Sequence, residues 1–443
     1  MSIIFLYIHI TNYLVYTNPV ITMKKLSIVI TLLSITSLGA MAQGNFSPYS
    51  QLGLGDLEDG FYNRTSGLAN TGIAYRSNRY LINNNPASFS ALTDQYFTVE
   101  TGLRGSIVNY YGTPVDPSNN QSGDITFRKL AMGMKLSKHW GSSIGLVPFS
   151  TQNYEFNVPY YLQGSAAEIA NHYYQGHGSV NKAYWANSYE FFHHLSIGID
   201  AGYLFGQLDQ KDILQNPSTG ASLTSTTNTV DLNNLFVNYG LQLYGRLGKK
   251  WEYSLGATFS NKTDLFASQN RIVLASDSSM LQNQEISQTY LTLPTTFGVG
   301  LSLTHKQKYT FLADFKHQDW DAVSKNTYTG KDYTLGNSNK GSIGFEISKK
   351  KNFYNNKVEL SYFQTGLYYG TSYLQINGQQ IKDKGITAGF GVNSLKSPLA
   401  YSIVFQYGIK GTQANNLIEE RYFNVTFVVN YGALWFTKGK KYE

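Results

Sequence analysis

Cysteine is absent from all 443 residues, so the chain is neither a disulfide scaffold nor a thiolate metal protein. Charge is scarce as well: Asp, Glu, Lys and Arg make up 14% of the sequence, where a soluble domain usually carries about a quarter. Proline occurs only 10 times. Beyond residue 42 no apolar run reaches about 18 residues, so no transmembrane helix is expected there. What is abundant is tyrosine, at 35, and glycine, at 41, with a mildly polar mean hydropathy of −0.27. Low charge, many aromatics and no long apolar run fit a membrane barrel, in which apolar and polar residues alternate and average out.

The N-terminus supports export. Met23-Lys24-Lys25 is a basic start, Leu26 to Leu38 an apolar stretch, and Ala40-Met41-Ala42 a small-x-small cleavage site before Gln43. That order is a secretory signal peptide, spanning residues 23–42. Residues 1–22 carry no Asp, Glu, Lys or Arg and read as an upstream extension from a start codon called too early. The formal net charge of +7 lies partly in Lys24 and Lys25 and partly in the basic tail TKGKKYE, residues 437–443. A single solvated basic end does not argue for a nucleic-acid partner.

The dominant pattern after the signal has a period of two. From Phe97 to Ile107 the odd positions read Phe, Val, Thr, Leu, Gly, Ile, while the even ones include Glu100 and Arg104. Leu195 to Phe205, Trp251 to Phe259 and Phe423 to Tyr431 alternate in the same way, with Asp200 and Glu252 on the polar side. Alternation puts one face in an apolar medium and the other in a polar one. The pattern predicts about 14 strands, near 96–108, 125–136, 139–150, 180–190, 193–206, 236–248, 250–260, 290–303, 308–320, 340–348, 356–369, 384–393, 399–408 and 420–431, with 265–289 as a further candidate pair. A soluble β-sandwich also alternates. Three features favour the barrel. The strands have the roughly ten residues a tilted bilayer crossing needs. Aromatic pairs such as Tyr110-Tyr111, Tyr368-Tyr369 and Trp435-Phe436 are expected at strand ends as interfacial girdles. The polar face carries glycine, small residues and isolated charges, as a lumen would. The expected fold is therefore an all-β, transmembrane, antiparallel barrel over residues 95–436. Short turns (SKHWG, EFFHHL, RLGKKW, LTHKQKY) and long loops (Thr151 to Ser179, Gln207 to Leu235) alternate along it.

Residues 43–94 precede the first clear strand. Within them NNNPASFSAL, Asn83 to Leu92, reads as neither strand nor helix: Pro86 cannot donate to a ladder, and Ser88, Phe89 and Ser90 are poor helix formers. Its position places it in a plug inside the barrel or in a turn feeding the first strand.

Motifs for chemistry are few. His193 and His194 are neighbours and would point to opposite faces of a strand, a poor metal site and a plausible turn. His172 and His177 lack a matching carboxylate spacing for zinc. GLGDLEDG, Gly53 to Gly60, has neither the phosphate-loop spacing nor the calcium-loop pattern, and reads as a solvated turn. No Ser-His-Asp arrangement stands out. The sequence is therefore expected to be no enzyme and to hold no metal or cofactor. Glu100, Arg104, Asp200 and Glu252, with Lys129 and Lys135, are candidate lumen-lining polar residues.

Several stretches carry a family resemblance: FSPYSQLGLGDL, LANTGIAYRSNRYLINNNPASFSAL, HLSIGIDAGYLFGQL, LTLPTTFGVGLSL with FLADFKHQDW, and EERYFNVTFVVNYGALWF. In this order the chain resembles the OmpP1/FadL/TodX family of outer-membrane transport proteins, in a Bacteroidetes-type form. The resemblance implies a 14-stranded barrel closed by an N-terminal hatch, with Asn85, Pro86 and Ala87 as the hatch motif. It implies a place in the outer membrane, in contact with lipid and lipopolysaccharide, and transport of hydrophobic small molecules such as long-chain fatty acids or aromatic hydrocarbons through an apolar pocket. Two other readings stand beside it: an accessory barrel of an envelope machine, for protein secretion or outer-membrane protein assembly, and a general porin.

Overall fold

The computed structural model describes residues 47–434 except 114, 116, 117, 119, 162–167, 217, 324–332, 354, 355 and 396. The upstream extension, the signal peptide, Trp435-Phe436 and the basic tail lie outside the described residues.

The alternating segments form a closed, antiparallel, 14-stranded barrel. In chain order the wall strands are β1 (Tyr96–Tyr111), β2 (Gln121–Lys135), β3 (Trp140–Tyr161), β4 (Glu168–Phe191), β5 (Leu195–Gln215), β6 (Ser222–Leu247), β7 (Trp251–Ser260, resuming as Thr263–Ala275), β8 (Met280–Leu293, resuming as Thr296–His305), β9 (Tyr309–Gln318), β10 (Ser338–Phe353), β11 (Asn356–Ile376), β12 (Gln379–Asn393), β13 (Leu399–Gly411) and β14 (Glu419–Leu434). Closure is made by β14 against β1, from Glu419 opposite Tyr111 to Leu434 opposite Tyr96. A spanning sheet needs this closure, because hydrocarbon offers no partner to an edge N–H or C=O.

The two faces separate as the alternation requires. On β5, Ile197, Ile199, Tyr203 and Phe205 point outward and are exposed, while Ser196, Asp200, Leu204 and Leu208 point inward and are buried. On β14, Phe423, Phe427 and Tyr431 point outward, opposite Asn424, Thr426 and Asn430. The exposed apolar belt continues through Phe311, Ile343, Phe363, Ile386 and Phe405. In water such a belt would aggregate; in a bilayer it is the lipid-facing surface.

The start of β1 and the end of β14 sit at the rim with short turns, residues 136–139, 192–194, 248–250 and 306–308. The opposite rim carries longer connections, such as 112–120 and 319–337. In barrels of this type the short-turn rim is periplasmic and the other extracellular.

Three sequence expectations are corrected. Thr151 to Ser179 and Gln207 to Leu235 are not long loops. There β3 to β6 continue as paired ribbon, Thr151 facing Ser179 and Gln207 facing Asp231. Tyrosine, threonine and valine in these stretches favour extended backbone with cross-strand packing. Residues 265–289 add no wall strand, but extend β7 and β8 upward, with Leu265 facing Leu291. Tyr368-Tyr369 is not at a strand end: β11 runs on to Ile376, Tyr369 is exposed outward, and Tyr368 is buried inward with its hydroxyl near Gln406 and Tyr422.

The seam between β2 and β3 is incomplete among the described residues. β2 and β3 pair only from Leu130 opposite Leu146 to Lys135 opposite Gly141. Above this point β2 stays on β1 as far as Gln121, and β3 stays on β4. Pro148 and a bulge before Ser150 mark the parting, a position where a strand tolerates proline.

The belt gives a direct test. Phe405→Arg, near the middle of β13, should destabilise the barrel in lipid vesicles by about 2–4 kcal/mol, whereas Phe405→Leu should cost about 1 kcal/mol or less. Reversible denaturant unfolding into vesicles measures both.

Candidate functional site

Residues 47–95 contribute nothing to the wall ladder except one short bridge, and lie against its inward face. At the extracellular rim Ser47 N donates to the Asn153 carbonyl at 2.8 Å, and the Tyr49 hydroxyl donates to the Ile418 carbonyl. At the periplasmic rim the Ser90 and Ser196 hydroxyls meet at 2.8 Å. The segment therefore descends the length of the lumen before turning into β1.

Its upper part is apolar. Tyr49, Leu52 and Leu54 pack against Val180, Leu204, Leu208, Val230, Leu232 and Leu293 of the wall. Asp56 and Leu57 then form a two-residue bridge to β3, opposite Thr151 and Ser150, and Glu58 N donates to the Phe149 carbonyl at 2.9 Å. This bridge occupies the stretch of β3 that β2 has left.

The acidic turn expected to be solvated is instead ion-paired inside the barrel. Asp56 meets Lys410, and Asp59 lies 3.3 Å from Lys340 and 3.7 Å from Lys316. Glu58 lies 2.6 Å from Arg128 and 3.4 Å from Arg104. Burial alone would push the Glu58 carboxyl up, but the two guanidinium groups and the Tyr62 hydroxyl outweigh it and hold it below the ordinary carboxylate range.

Below this turn Arg64 is the strongest polar anchor. It is 5% exposed. Its Nε and Nη2 donate to both oxygens of Glu346 at 3.0 and 2.7 Å, and its Nη2 also donates to Glu359 Oε1 at 2.8 Å. The Tyr362 ring lies 4.0 Å from its guanidinium carbon, with Tyr75 and Tyr80 further around it. An arginine taken out of water needs this number of charged acceptors to offset its desolvation.

The backbone of the segment is answered by wall side chains. Asp314 accepts from Gly72 N at 2.6 Å and Ile73 N at 2.9 Å. The Thr387 hydroxyl accepts from Ala69 N and donates to the Gly67 carbonyl, both at 2.9 Å. Gln242 Nε2 donates to the Ile73 carbonyl at 2.9 Å.

The stretch NNNPASFSAL is helical after all, and this corrects the sequence reading. Pro86–Ala91 is a 3-10 helix with Pro86 in its first turn and Asn85 as cap, its Oδ1 accepting from Ala87 N at 3.0 Å. Proline at a helix start and asparagine before it are the residues that nucleate such a turn, and the wall supplies the rest. Asn85 Nδ2 reaches the carbonyls of Ile73 at 2.8 Å and Leu241 at 3.1 Å. Gly198 and Gly240 let the backbone come this close: a Cβ on Gly198 would stand 2.3 Å from Ala87 N, and one on Gly240 would collide with Asn85. Asn85, Pro86 and Ala87 are all buried.

The expected lumen-lining residues divide. Glu100 is fully buried, pairs with Lys129 at 2.8 Å and accepts from Leu81 N at 2.9 Å. Arg104 turns to Glu58, and Asp200 pairs with Lys182 at 2.6 Å. Glu252 is not in the interior. It sits at the periplasmic rim beside Arg246 at 3.6 Å, because it is the second residue of its strand. Lys135 faces Asp94 at 3.3 Å. His172 and His177 pair separately, with Asp212 and Asp209, and form no joint site. Arg64, Glu346 and Glu359 were missed; inward-facing glutamates on β10 and β11 without a neighbouring cation were the available sign of a partner in the preceding segment.

Two cavities flank Leu57–Gly60. One, of about 260 Å³, is walled by charge, including Arg104, Arg128, Lys340, Lys410, Asp383 and Glu420. The other, of about 180 Å³, is lined by Phe149, Phe236, Trp320, Leu293 and Pro294 and also by charged groups, among them Lys182, Asp200 and Asp314, and it shares Glu58, Asp59, Lys316 and Lys340 with the first. Val147, Pro148 and Phe149 bring this second cavity to the place where β3 parts from β2.

The model of the family described as BamG matches residues 23–443. No curated protein matches the sequence. Among solved structures, the Pseudomonas putida toluene transporter TodX is similar with a TM-score of 0.56 at 16% identity, over 86% of this chain and 99% of that one. A Pseudomonas aeruginosa FadL homologue is similar with a TM-score of 0.52 at 12% identity, over 84% of this chain and 98% of that one. At these identities the likeness is one of fold.

Two outcomes test this packing. Arg64→Ala leaves two buried carboxylates without their cation and should cost about 3–5 kcal/mol, read as a lower unfolding midpoint in detergent. Acid acts on Glu58 in a defined direction. Its folded pKa is depressed, so its contribution is complete above the ordinary carboxylate range and is lost as pH falls through the folded value. Protease nicking within residues 55–62 should therefore rise on acidification in the parent protein and be high at neutral pH in Glu58→Gln.

Proposed function

Because the chain belongs to the BamG family and has the fold of the TodX and FadL-type channels, we propose that it is an outer-membrane barrel of the Bacteroidetes-type branch that passes hydrophobic small molecules, with residues 47–95 as its hatch. The observation that carries this reading is the aromatic-walled cavity meeting the parted seam between β2 and β3. A hydrocarbon in the cavity would touch Phe149, Phe236 and Trp320, and burial alone contributes about 0.8 kcal/mol per CH₂. The seam offers it a sideways exit into the membrane, which spares it the aqueous rim. The Asp56–Leu57 bridge closes that seam, and its two pairs with β3 are the contacts that must yield. The Arg64 anchor stays in place during this movement, so the hatch opens locally rather than leaving the barrel. Aromatic hydrocarbons and long-chain fatty acids are the proposed ligand classes. The charged cavity does not suit them as a route, and a general porin would want a wide aqueous path where residues 47–95 line the inward face of the wall.

A second reading draws on the same inner segment. A segment held by the Arg64 clamp, by wall-to-backbone hydrogen bonds and by an apolar cap makes a rigid barrel, as an accessory subunit of a secretion or assembly machine would need.

Uptake of labelled toluene and of a labelled long-chain fatty acid by cells with and without the protein tests the first reading. Uptake should fall in its absence, and Phe149→Asn should lower it about tenfold by removing apolar burial in the cavity. Uptake unchanged across both solutes, together with stoichiometric co-purification of a large envelope subunit in mild detergent, would favour the second reading instead.

A further inference from the structure

We infer that two neighbouring periplasmic turns form a binding site for a zinc-class divalent cation, built from His139, Glu190 and His193. His139 lies on the turn between β2 and β3, and His193 on the turn between β4 and β5, with Glu190 just before it. The sequence hides the site because its histidines are far apart along the chain, while the tempting pair His193-His194 points in two directions. Three observations bring the groups together. The turns are already joined at the backbone, where Glu190 N donates to the His139 carbonyl at 2.9 Å. One ligand atom from each of the three residues lies within 4.8 Å of the others. His193 Nδ1 stands 3.2 Å from Glu190 Oε1, close to the roughly 3.3 Å that separates two ligands on a tetrahedral ion with bonds near 2.0–2.1 Å.

His139 supplies the remaining sign. Its Nδ1 is buried and has no hydrogen-bond partner among the described residues, an orphan that an ion would satisfy. Its ring lies 5.2 Å from that of His193, tilted by 47°, so modest side-chain rotation draws both nitrogens and the carboxylate onto one centre. Two imidazoles and one carboxylate suit zinc better than magnesium or calcium, which prefer oxygen. A fourth position stays open to water or to a ligand from another molecule. Glu190 Oε2 faces Arg76 of the hatch at 4.0 Å, so the ion takes Oε1 and leaves that contact in place. The bound ion would clip the two turns together beside the lower end of the hatch.

Cobalt(II) titration of the detergent-purified, metal-stripped protein is the test, with cobalt absorption as readout. One equivalent should bind with the absorption of a nitrogen-rich tetrahedral or five-coordinate site. His139→Ala and His193→Ala should each weaken binding by about tenfold or more, and His317→Ala, on the far rim, should not. As a check that needs no variant, bound cobalt or zinc should protect His139 and His193, but not His317, from diethyl pyrocarbonate, as read by peptide mass spectrometry. Absence of stoichiometric binding, equal binding by the variants, or equal modification of all three histidines with and without metal would each overturn the assignment.

Discussion

A peptide group in hydrocarbon has no water to bond, and the structure is organised around that constraint. It closes β14 onto β1, while contact with lipid on one side only makes that face of each strand apolar. It also governs the seam between β2 and β3, which neighbouring strands leave open in its upper part. Where β2 leaves β3, the Asp56–Leu57 bridge takes up the pairing of Ser150 and Thr151 from inside. The same rule extends into the lumen. The inner segment has little regular structure of its own, so Asp314, Thr387, Gln242 and Asn85 serve as partners for peptide groups that would otherwise be buried unsatisfied.

Much of the wall was legible in the sequence because a strand in lipid has only two environments. Ile197 and Asp200, or Phe423 and Asn424, declare their faces by parity alone. Strand ends were less legible. Towards the extracellular rim, ribbons such as residues 151–158 keep pairing with a weaker apolar alternation, so the pattern fades while the backbone remains extended. The inner segment was the least legible. The sequence of Asn83 to Leu92 gives its helix two weak cues, Asn85 and Pro86, and its real stabilisation comes from glycines more than a hundred residues away. The Arg64 clamp and the seam depend on long-range pairing, which no local pattern records. The turn at Gly53 to Gly60 shows the same limit: its acids looked solvated because their cations, Arg104, Arg128, Lys316, Lys340 and Lys410, lie on strands distant in sequence.

The polar and apolar parts of the lumen divide its tasks. The Arg64 clamp and the Asn85 cap hold the lower segment, with penalties of about 3–5 kcal/mol for breaking a buried ion pair. The bridge at Asp56–Leu57 rests on a short ladder and on ion pairs at least partly open to the charged cavity. Under the proposed transport function, a local opening at the bridge is the less costly movement, and it would join the aromatic-lined cavity to the bilayer. A barrel built in this way can stay sealed to ions while a hydrophobic solute passes through its side. The same rigidity below the bridge is what an accessory role in a larger assembly would use, so the bridge is where the two readings part.

Locking that bridge is the most direct test. The chain has no cysteine, so Leu57→Cys with Ser150→Cys, at positions that face each other across the bridge, introduces the sole possible disulfide, at a cross-strand spacing that suits one. The account predicts that oxidised protein passes labelled toluene at least about tenfold more slowly than the same protein after reduction, with folding unchanged. Equal rates in the two states would contradict it, because the solute would then be crossing without the bridge opening, or not through this barrel at all.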